Sequence, residues 1–237
     1  MSGDTSNEVC KVLWTGGWDS TFRVLQLARE GRDIQPYYIL AAGRTSISYE
    51  LAARQAIQRE ISKKYPACDI RDTVFLELRP ERTPPETVAA FRSVREHADV
   101  GDQIMWFSMF DTQLDGVELC TEKSRTGGHY LVIQGYLQDE PKFMPAAERL
   151  VSHLSFPLLS YTKTDMANEA KEHAEMEIMN MSWFCYTPIN GRPCGTCRPC
   201  GTALQYGLAF RLGRKAKLYA RAPNFINALR RLVQKFL

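Results

Sequence analysis

The segment VLWTGGWDST, residues 12–21, contains the pattern that is most informative about the architecture of the chain. It starts with apolar residues typical of a buried strand, passes through two consecutive glycines, and continues with the spacing of a helix. Glycines allow the backbone to approach an anion closely, and a helix N-terminus supplies free N–H groups with partial positive charge. The stretch therefore predicts a phosphate-binding loop between the first strand and the first helix.

Hydroxyl groups and one carboxylate surround this predicted loop. Thr15, Ser20 and Thr21 add hydrogen-bond donors, whereas Asp19 would repel phosphate unless a cation lies between them, so it predicts Mg²⁺. The chain has neither the GxxxxGK(S/T) pattern of a Walker A loop nor the GxGxxG turn of dinucleotide-binding folds. A strand-to-helix turn with capping Asp and Ser residues is the structural alternative.

Beyond the loop, apolar segments alternate with segments of helical spacing. The apolar segments predict strands at 9–14, 34–41, 73–78 and 130–134, the last ending at Gly135. Helical spacing predicts helices at 21–30, 49–64, 87–98, 104–114, 163–173 and 223–237, and the Pro-rich residues 79–86 predict a loop. Strands that alternate with helices predict an α/β fold with a mostly parallel sheet and flanking helices.

The overall composition is that of a globular protein. Of the 237 residues, 44% are hydrophobic and 24% are charged, which argues against disorder and low-complexity architectures. No run approaches the roughly 20 apolar residues of a membrane-spanning helix. Residues 1–13 lack the pattern of a secretory signal, so we expect a cytoplasmic protein with no membrane partner.

Positive charge is concentrated at the C-terminal end. Residues 201–237 contain eight basic side chains and no acidic one, which leaves 22 basic and 27 acidic residues in the first 200. Such an asymmetry is found in surfaces for nucleic acid, membranes or acidic partners. A C-terminal helix with a solvated basic face is the favoured interpretation.

Four of the seven cysteines lie close together in WFCYTPINGRPCGTCRPC, residues 183–200. Their spacing, C-x8-C-x2-C-x2-C, can close a tetrahedron of thiolates and predicts a structural Zn²⁺ site, with an iron–sulfur cluster as the competing interpretation. The ligands are Cys185, Cys194, Cys197 and Cys200. We expect Cys10, Cys68 and Cys120 to be ordinary buried thiols.

The loop and the cysteine cluster together resemble the 7-cyano-7-deazaguanine synthase family of queuosine biosynthesis, a branch of the PP-loop ATP pyrophosphatases. TGGWDS is similar to that family's SGGxDS loop, with Thr15 replacing the first serine. Three further features are similar to that family: the predicted helix that begins near Tyr49, the glycine at position 135, and the segment FPLLSYTKTD at 156–165. The resemblance therefore covers about residues 9–200. It implies an adenine nucleotide alpha-hydrolase-like fold. Residues 1–182 would form the ATP-binding α/β domain, and residues 183–237 would form a zinc-binding segment and basic C-terminal helices packed on that same domain.

The resemblance also implies an activity, that of an ATP-dependent carbon–nitrogen ligase. The family adenylates 7-carboxy-7-deazaguanine with ATP, releases pyrophosphate, aminates the adenylate with ammonia, and converts the amide to a nitrile. Asp19, Ser20 and Lys163 would be the catalytic residues, with Lys163 neutralising phosphate charge. The residues that would bind ATP and Mg²⁺ are Leu13, Thr15, Gly16, Gly17, Trp18, Asp19, Ser20, Thr21 and Gly135. A homodimer is implied as well.

Three departures from the family leave further functions open. The family's Gly-Arg-Asn is Gly101-Asp102-Gln103 here, its Tyr-Pro-Asp segment is absent, and Gly201 follows the last cysteine where the family has Arg or Asn. A paralogue could pass a deazaguanine acyl group to an amine on a macromolecule that docks at the basic tail; such proteins occur in bacterial anti-phage gene clusters. The chain could also be a tRNA-thiolating enzyme, or a catalytically inactive scaffold that dimerises through the 225–236 face.

Overall fold

A computed structural model describes residues 9–205 and 208–222, together with Phe225. The predicted amphipathic helix at 223–237 lies outside these residues apart from Phe225, whose side chain is exposed. Among the described residues, five strands form one sheet in the order β3-β2-β1-β4-β5, and every neighbouring pair is parallel. The strands are Cys10–Leu13 (β1), Ile34–Ala41 (β2), Val74–Leu78 (β3), Val117–Glu118 (β4) and Leu154–Ser155 (β5). The predicted α/β fold with a parallel sheet is confirmed.

Helices connect these strands and cover the sheet. They are Trp18–Arg29 (α1), Ile47–Lys64 (α2), Pro85–Arg95 (α3), Gln103–Ser108 (α4), Gly128–Leu137 (α5), Ala146–Val151 (α6), Lys163–Glu172 (α7), Met176–Asn180 (α8), Arg198–Gln205 (α9) and Arg214–Arg221 (α10). Short 3-10 turns occupy Pro80–Arg82 and Ala209–Arg211. Within the residues described, no helix combines the length and apolar character needed to cross a membrane.

The central strand β1 buries side chains on both faces of the sheet. Val12 lies in a core cluster with residues of α1, α2, α7 and α8, whereas Leu13 packs in a second cluster with Ile39 and Leu76 on the opposite face. Successive side chains of a strand point to opposite faces, so a strand covered by helices on both sides reads as a continuous apolar run. This double burial explains why the first two strands are readable from sequence.

The predicted strand at 130–134 is wrong, because these residues lie in α5. Val132, Ile133 and Gly135 are buried in a third core cluster, formed mainly by α3, α5 and α6, as the inward face of a helix. A short apolar run cannot by itself distinguish a buried strand from a buried helix. The fourth and fifth strands are instead β4 and β5, of two residues each, which are too short to show a pattern.

Candidate active site and metal centre

The predicted phosphate loop lies at the carboxyl end of β1. Gly16 has φ +74°, and a Cβ at this position would lie 2.9 Å from the carbonyl oxygen of Glu50, so a side chain would be both strained and obstructed. The backbone N–H of Trp183 donates to the carbonyl oxygen of Gly16 at 2.8 Å. The N–H of Gly17 makes a long contact with Thr15 Oγ1 at 3.4 Å. The loop is thus held by α2 on one side and by the segment before the cysteines on the other.

The first turn of α1 places its side chains in different environments. Thr21 is fully buried, and its hydroxyl accepts a hydrogen bond from Trp14 Nε1 at 3.2 Å. Trp18 and Leu13 are buried in the two core clusters on either side of the sheet. The side chains of these three predicted nucleotide-binding residues therefore pack in the interior, and only their backbone is positioned to contact a ligand. Ser20 is also buried, and its hydroxyl lies 3.5 Å from the carbonyl oxygen of Gly17.

Asp19 and Lys163, both predicted from sequence, form an ion pair at the start of α1. A third charged group joins them, since Lys163 Nζ lies 3.6 Å from an oxygen of Glu122. The three side chains are only 12%, 22% and 22% exposed for Lys163, Asp19 and Glu122. Sequence reasoning missed Glu122, because its only signal is a position just after the unrecognised strand β4.

Local interactions bring these residues together. Thr162 caps α7 in a capping box with Asp165, which fixes Lys163 at the first position of the helix. The N–H of Lys123 donates to the carbonyl of Tyr161 at 2.7 Å, so the residue after Glu122 is tied to the residue before the α7 cap.

The strand that precedes Glu122 is fixed to α1 as well. Arg23 makes two hydrogen bonds of 2.8 Å to the carboxylate of Glu118 in β4. Such bidentate pairs are geometrically specific, and this one orients β4 against α1.

Burial changes the acidity of Asp19. Desolvation raises the pKa of the Asp19 carboxyl above its usual range, and the positive charge of Lys163 opposes that shift. The nearby Glu122 carboxylate raises the pKa further. Two carboxylates and one ammonium beside free helix N–H groups can hold a divalent cation and a polyphosphate, because oxygen ligands suit Mg²⁺ and the ammonium neutralises phosphate charge.

A buried arginine lies beneath the loop. Arg54 of α2 is 5% exposed, donates to the carbonyl of Trp14 at 3.3 Å, and also donates to Thr73 Oγ1. Its guanidinium lies over the rings of Trp14 and Tyr38, 5.1 and 5.8 Å from their centroids. Desolvation lowers the pKa of Arg54 to about 10, so the side chain remains a cation at neutral pH. It fixes α2 against β1 at the point where the loop begins.

Gly135, predicted to bind the nucleotide from the end of a strand, lies instead inside α5. A Cβ at this position would be 2.1 Å from the ring of Phe143, which is itself 2% exposed. The absence of a side chain is therefore explained by close packing between α5 and the residues that follow it. The structure thus gives Gly135 a packing role in the cluster of α3, α5 and α6.

The four predicted metal ligands converge. The sulfur atoms of Cys185, Cys194, Cys197 and Cys200 all lie within 4.8 Å of one another. The Cys185–Cys197, Cys194–Cys200 and Cys197–Cys200 sulfur distances are 3.8, 4.0 and 3.5 Å. A tetrahedron with Zn–S bonds of about 2.3 Å requires sulfur atoms about 3.8 Å apart, so the geometry fits a single ion such as zinc. A multi-iron cluster would need room for iron and sulfide between the thiolates.

Neighbouring donors support thiolates at this cluster. The backbone N–H groups of Thr196 and Cys197 each point to Cys194 Sγ at 3.3 Å, and the hydroxyl of Thr187 does so at the same distance. Hydrogen bonds from the other cysteines, Cys185 first, hold the pKa of Cys194 far below its usual range. Gly195 has φ +79°, and a Cβ there would lie 2.4 Å from the carbonyl oxygen of Ala216, so α10 packs directly on the metal-binding turn.

Comparison with known proteins connects part of this site to one family. Residues 134–207 match the family model described as "Queuosine biosynthesis protein QueC". No curated protein matches the chain. The matched segment includes Lys163 and all four cysteines, whereas the phosphate loop and Glu122 precede it. The match supports, over residues 134–207, the resemblance to the QueC family of PP-loop proteins that the sequence indicated.

Proposed function

We propose that the chain transfers AMP from ATP to a carboxylate at the phosphate loop and releases pyrophosphate. The observation that carries this proposal is the position of Lys163 between Asp19 and Glu122 at the N-terminus of α1. A site for ATP needs a backbone cradle for phosphate, ligands for a divalent cation and a positive side chain, which the loop backbone, the two carboxylates and Lys163 would supply. The QueC match supports an ATP-dependent enzyme of the queuosine pathway in general.

The proposed reaction needs no protein nucleophile. A carboxylate oxygen of the substrate attacks the α-phosphorus of ATP, and the bond from that phosphorus to the bridging oxygen of the β-phosphate breaks. The loop N–H groups and Lys163 stabilise the charge that develops on the departing pyrophosphate. Asp19 and Glu122 would hold Mg²⁺, which supplies further neutralisation of phosphate charge when bound. The buried Arg54 contributes by keeping the backbone that precedes the loop in place.

We propose 7-carboxy-7-deazaguanine as the carboxylate, with ammonia as the acceptor. Attack of ammonia on the adenylate gives the amide and AMP, and a second ATP activates the amide oxygen so that loss of AMP leaves the nitrile. The test is mass spectrometry of products after incubation with ATP, Mg²⁺, ammonium and 7-carboxy-7-deazaguanine. Nitrile with AMP would support the complete reaction. Absence of AMP formation would refute the deazaguanine assignment.

A second candidate is transfer of the acyl group to an amine on a macromolecule. The exposed face of α10 favours it, because among the described residues Arg214, Lys215, Lys217 and Arg221 form no ion pair and have no acidic neighbour on their helix. Accumulated adenylate or amide without nitrile would point to this candidate. Its test is transfer of labelled substrate to purified tRNA or protein, compared between the wild type and an R214E/K215E/R221E variant. Loss of transfer with unchanged AMP formation would support it.

A further inference from the structure

Trp183 contacts the phosphate loop, α2 and the cysteine cluster at the same time. Its backbone N–H donates to the carbonyl of Gly16 at 2.8 Å, and its indole N–H donates to the carbonyl of Cys185 at 2.8 Å. Its ring stacks on Tyr49 of α2 with centroids 4.8 Å apart and an interplanar angle of 18°. One residue thus connects the tight turn of the nucleotide site to the backbone of a metal ligand.

Arg211 makes a second connection between the same two regions. Its guanidinium lies 5.4 Å from the ring centroid of Trp18, at the start of α1, and 4.7 Å from that of Phe184, beside Cys185. It also donates to the carbonyl and to the hydroxyl of Ser182. The residues on both sides of Trp183 are therefore held against the first turn of α1.

The conformation of this connecting segment depends on the metal-binding turn. Cys185 is fully buried, and its sulfur accepts a hydrogen bond of 3.2 Å from the N–H of Cys194. Coordination by Cys194, Cys197 and Cys200 would fix the position of Cys185, and therefore of the carbonyl that Trp183 contacts. Because Gly16 has positive φ and no side chain, its peptide is free to adopt other conformations unless an outside contact holds it.

We infer that Trp183 is a positioning residue through which the four-cysteine metal centre sets the phosphate loop, so that metal and nucleotide bind cooperatively. The inference rests on the proposed nucleotide site. Thermodynamic linkage requires the effect to be reciprocal: if the metal tightens nucleotide binding, the nucleotide must tighten metal binding by the same factor. This reciprocity allows a test that starts from the metal-loaded protein and measures zinc binding itself.

The test measures the affinity of the purified protein for zinc by equilibrium competition with a chromogenic chelator, because reciprocity applies to equilibrium affinities. It is made with and without Mg²⁺ and a non-hydrolysable ATP analogue, and calorimetry measures binding of that analogue separately. In the wild type we expect the analogue to tighten zinc binding about fivefold or more, the usual lower range of allosteric coupling. In Trp183→Phe, which can still stack on Tyr49 but lacks the indole N–H, we expect this factor to fall close to one. In Trp106→Phe, a change on the other face of the sheet, the analogue should tighten zinc binding as much as in the wild type.

Three results would overturn the inference. If the analogue binds but the zinc affinity of the wild type is unchanged, the coupling does not exist, although the proposed nucleotide site stands. If the analogue tightens zinc binding to Trp183→Phe as much as to the wild type, the connection does not run through the indole. If calorimetry detects no binding of the analogue, the inference and the proposed function fail together. Chelation of zinc by the analogue itself would affect wild type and variants equally.

Discussion

Replacing Gly135 by alanine gives a sharp test of the packing between α5 and Phe143. A Cβ on Gly135 would lie 2.1 Å from one ring carbon of Phe143 and 2.7 Å from another. Carbon atoms normally approach to about 3.5–4.0 Å, so the ring would have to move by more than 1 Å, roughly. Phe143 is 2% exposed and surrounded by the cluster of α3, α5 and α6, which gives it little room to do so.

The expected magnitude is the difference between two opposing effects. Overpacking a core costs about 1–3 kcal/mol, and the large overlap here favours the upper end of that range. Alanine in place of glycine within a helix gains about 1 kcal/mol. We therefore expect Gly135→Ala to lower the free energy of unfolding by about 1–2 kcal/mol, which corresponds to a fall of about 2–8 °C in Tm for a chain of this size.

The assay is urea unfolding of the variant, repeated in a Phe143→Ala background. Alanine lacks the Cγ and ring carbons of Phe143 that a Cβ on Gly135 would meet, so only the helix-propensity gain should remain. The same Gly135→Ala change should then become neutral or stabilising by up to about 1 kcal/mol. Stabilisation of the wild-type background by Gly135→Ala would refute this reasoning. Weaker nucleotide binding with unchanged stability would instead restore the role predicted from sequence, that of a nucleotide-binding glycine.

Three further predictions concern the site and its supports. Lys163→Met should reduce AMP formation by about 100-fold or more in a steady-state assay, since it removes a preorganised positive charge; Lys171→Met, an exposed position on the same helix, should have no effect. Cys200→Ser should lose stoichiometric zinc by elemental analysis and several degrees of Tm, whereas Cys120→Ser, outside the cluster, should retain its metal. Burial lowers the pKa of His129 to about 4, so the unfolded chain binds the additional proton between about pH 6.5 and 4. The free energy of unfolding should fall by up to about 3 kcal/mol as pH falls through that window, and the fall should be smaller in His129→Gln.

Sequence could predict the long elements of the fold that are buried on both faces. The strand predicted at 34–41 coincides with Ile34–Ala41, and the helix predicted at 49–64 ends with α2 at Lys64. The failures lie where elements are short. β4 and β5 contribute two residues each, so no alternation develops, and the apolar run of α5 resembles a strand when read alone. The helix predicted at 104–114 ends early, at Ser108, because the chain continues as turns.

The residues of the candidate site also differ in whether sequence alone could predict them. Asp19 and the four cysteines stand in compact motifs whose chemistry is readable from spacing. Lys163 required a resemblance to a known family, since a lysine at a helix start has no pattern of its own. Glu122 and Arg54 could be found only from the structure. The first follows an unrecognised strand, and the second is a buried cation that sequence alone would place on the surface.

The strand order explains why these dispersed residues meet. The chain passes from β1 to β2 and β3 on one side, then returns to place β4 on the other side of β1. The loops after β1 and β4 therefore leave the sheet in a crevice at its carboxyl edge, which is where open α/β sheets bind ligands. Asp19 follows the first of these loops and Glu122 lies in the second, so the topology itself brings two carboxylates to one point. Lys163, at the start of the helix after β5, offsets one of the two negative charges, which burial would otherwise disfavour. Two carboxylates buried this close together destabilise the fold unless a cation lies beside them. This destabilisation is the physical reason to expect that the site binds a charged ligand.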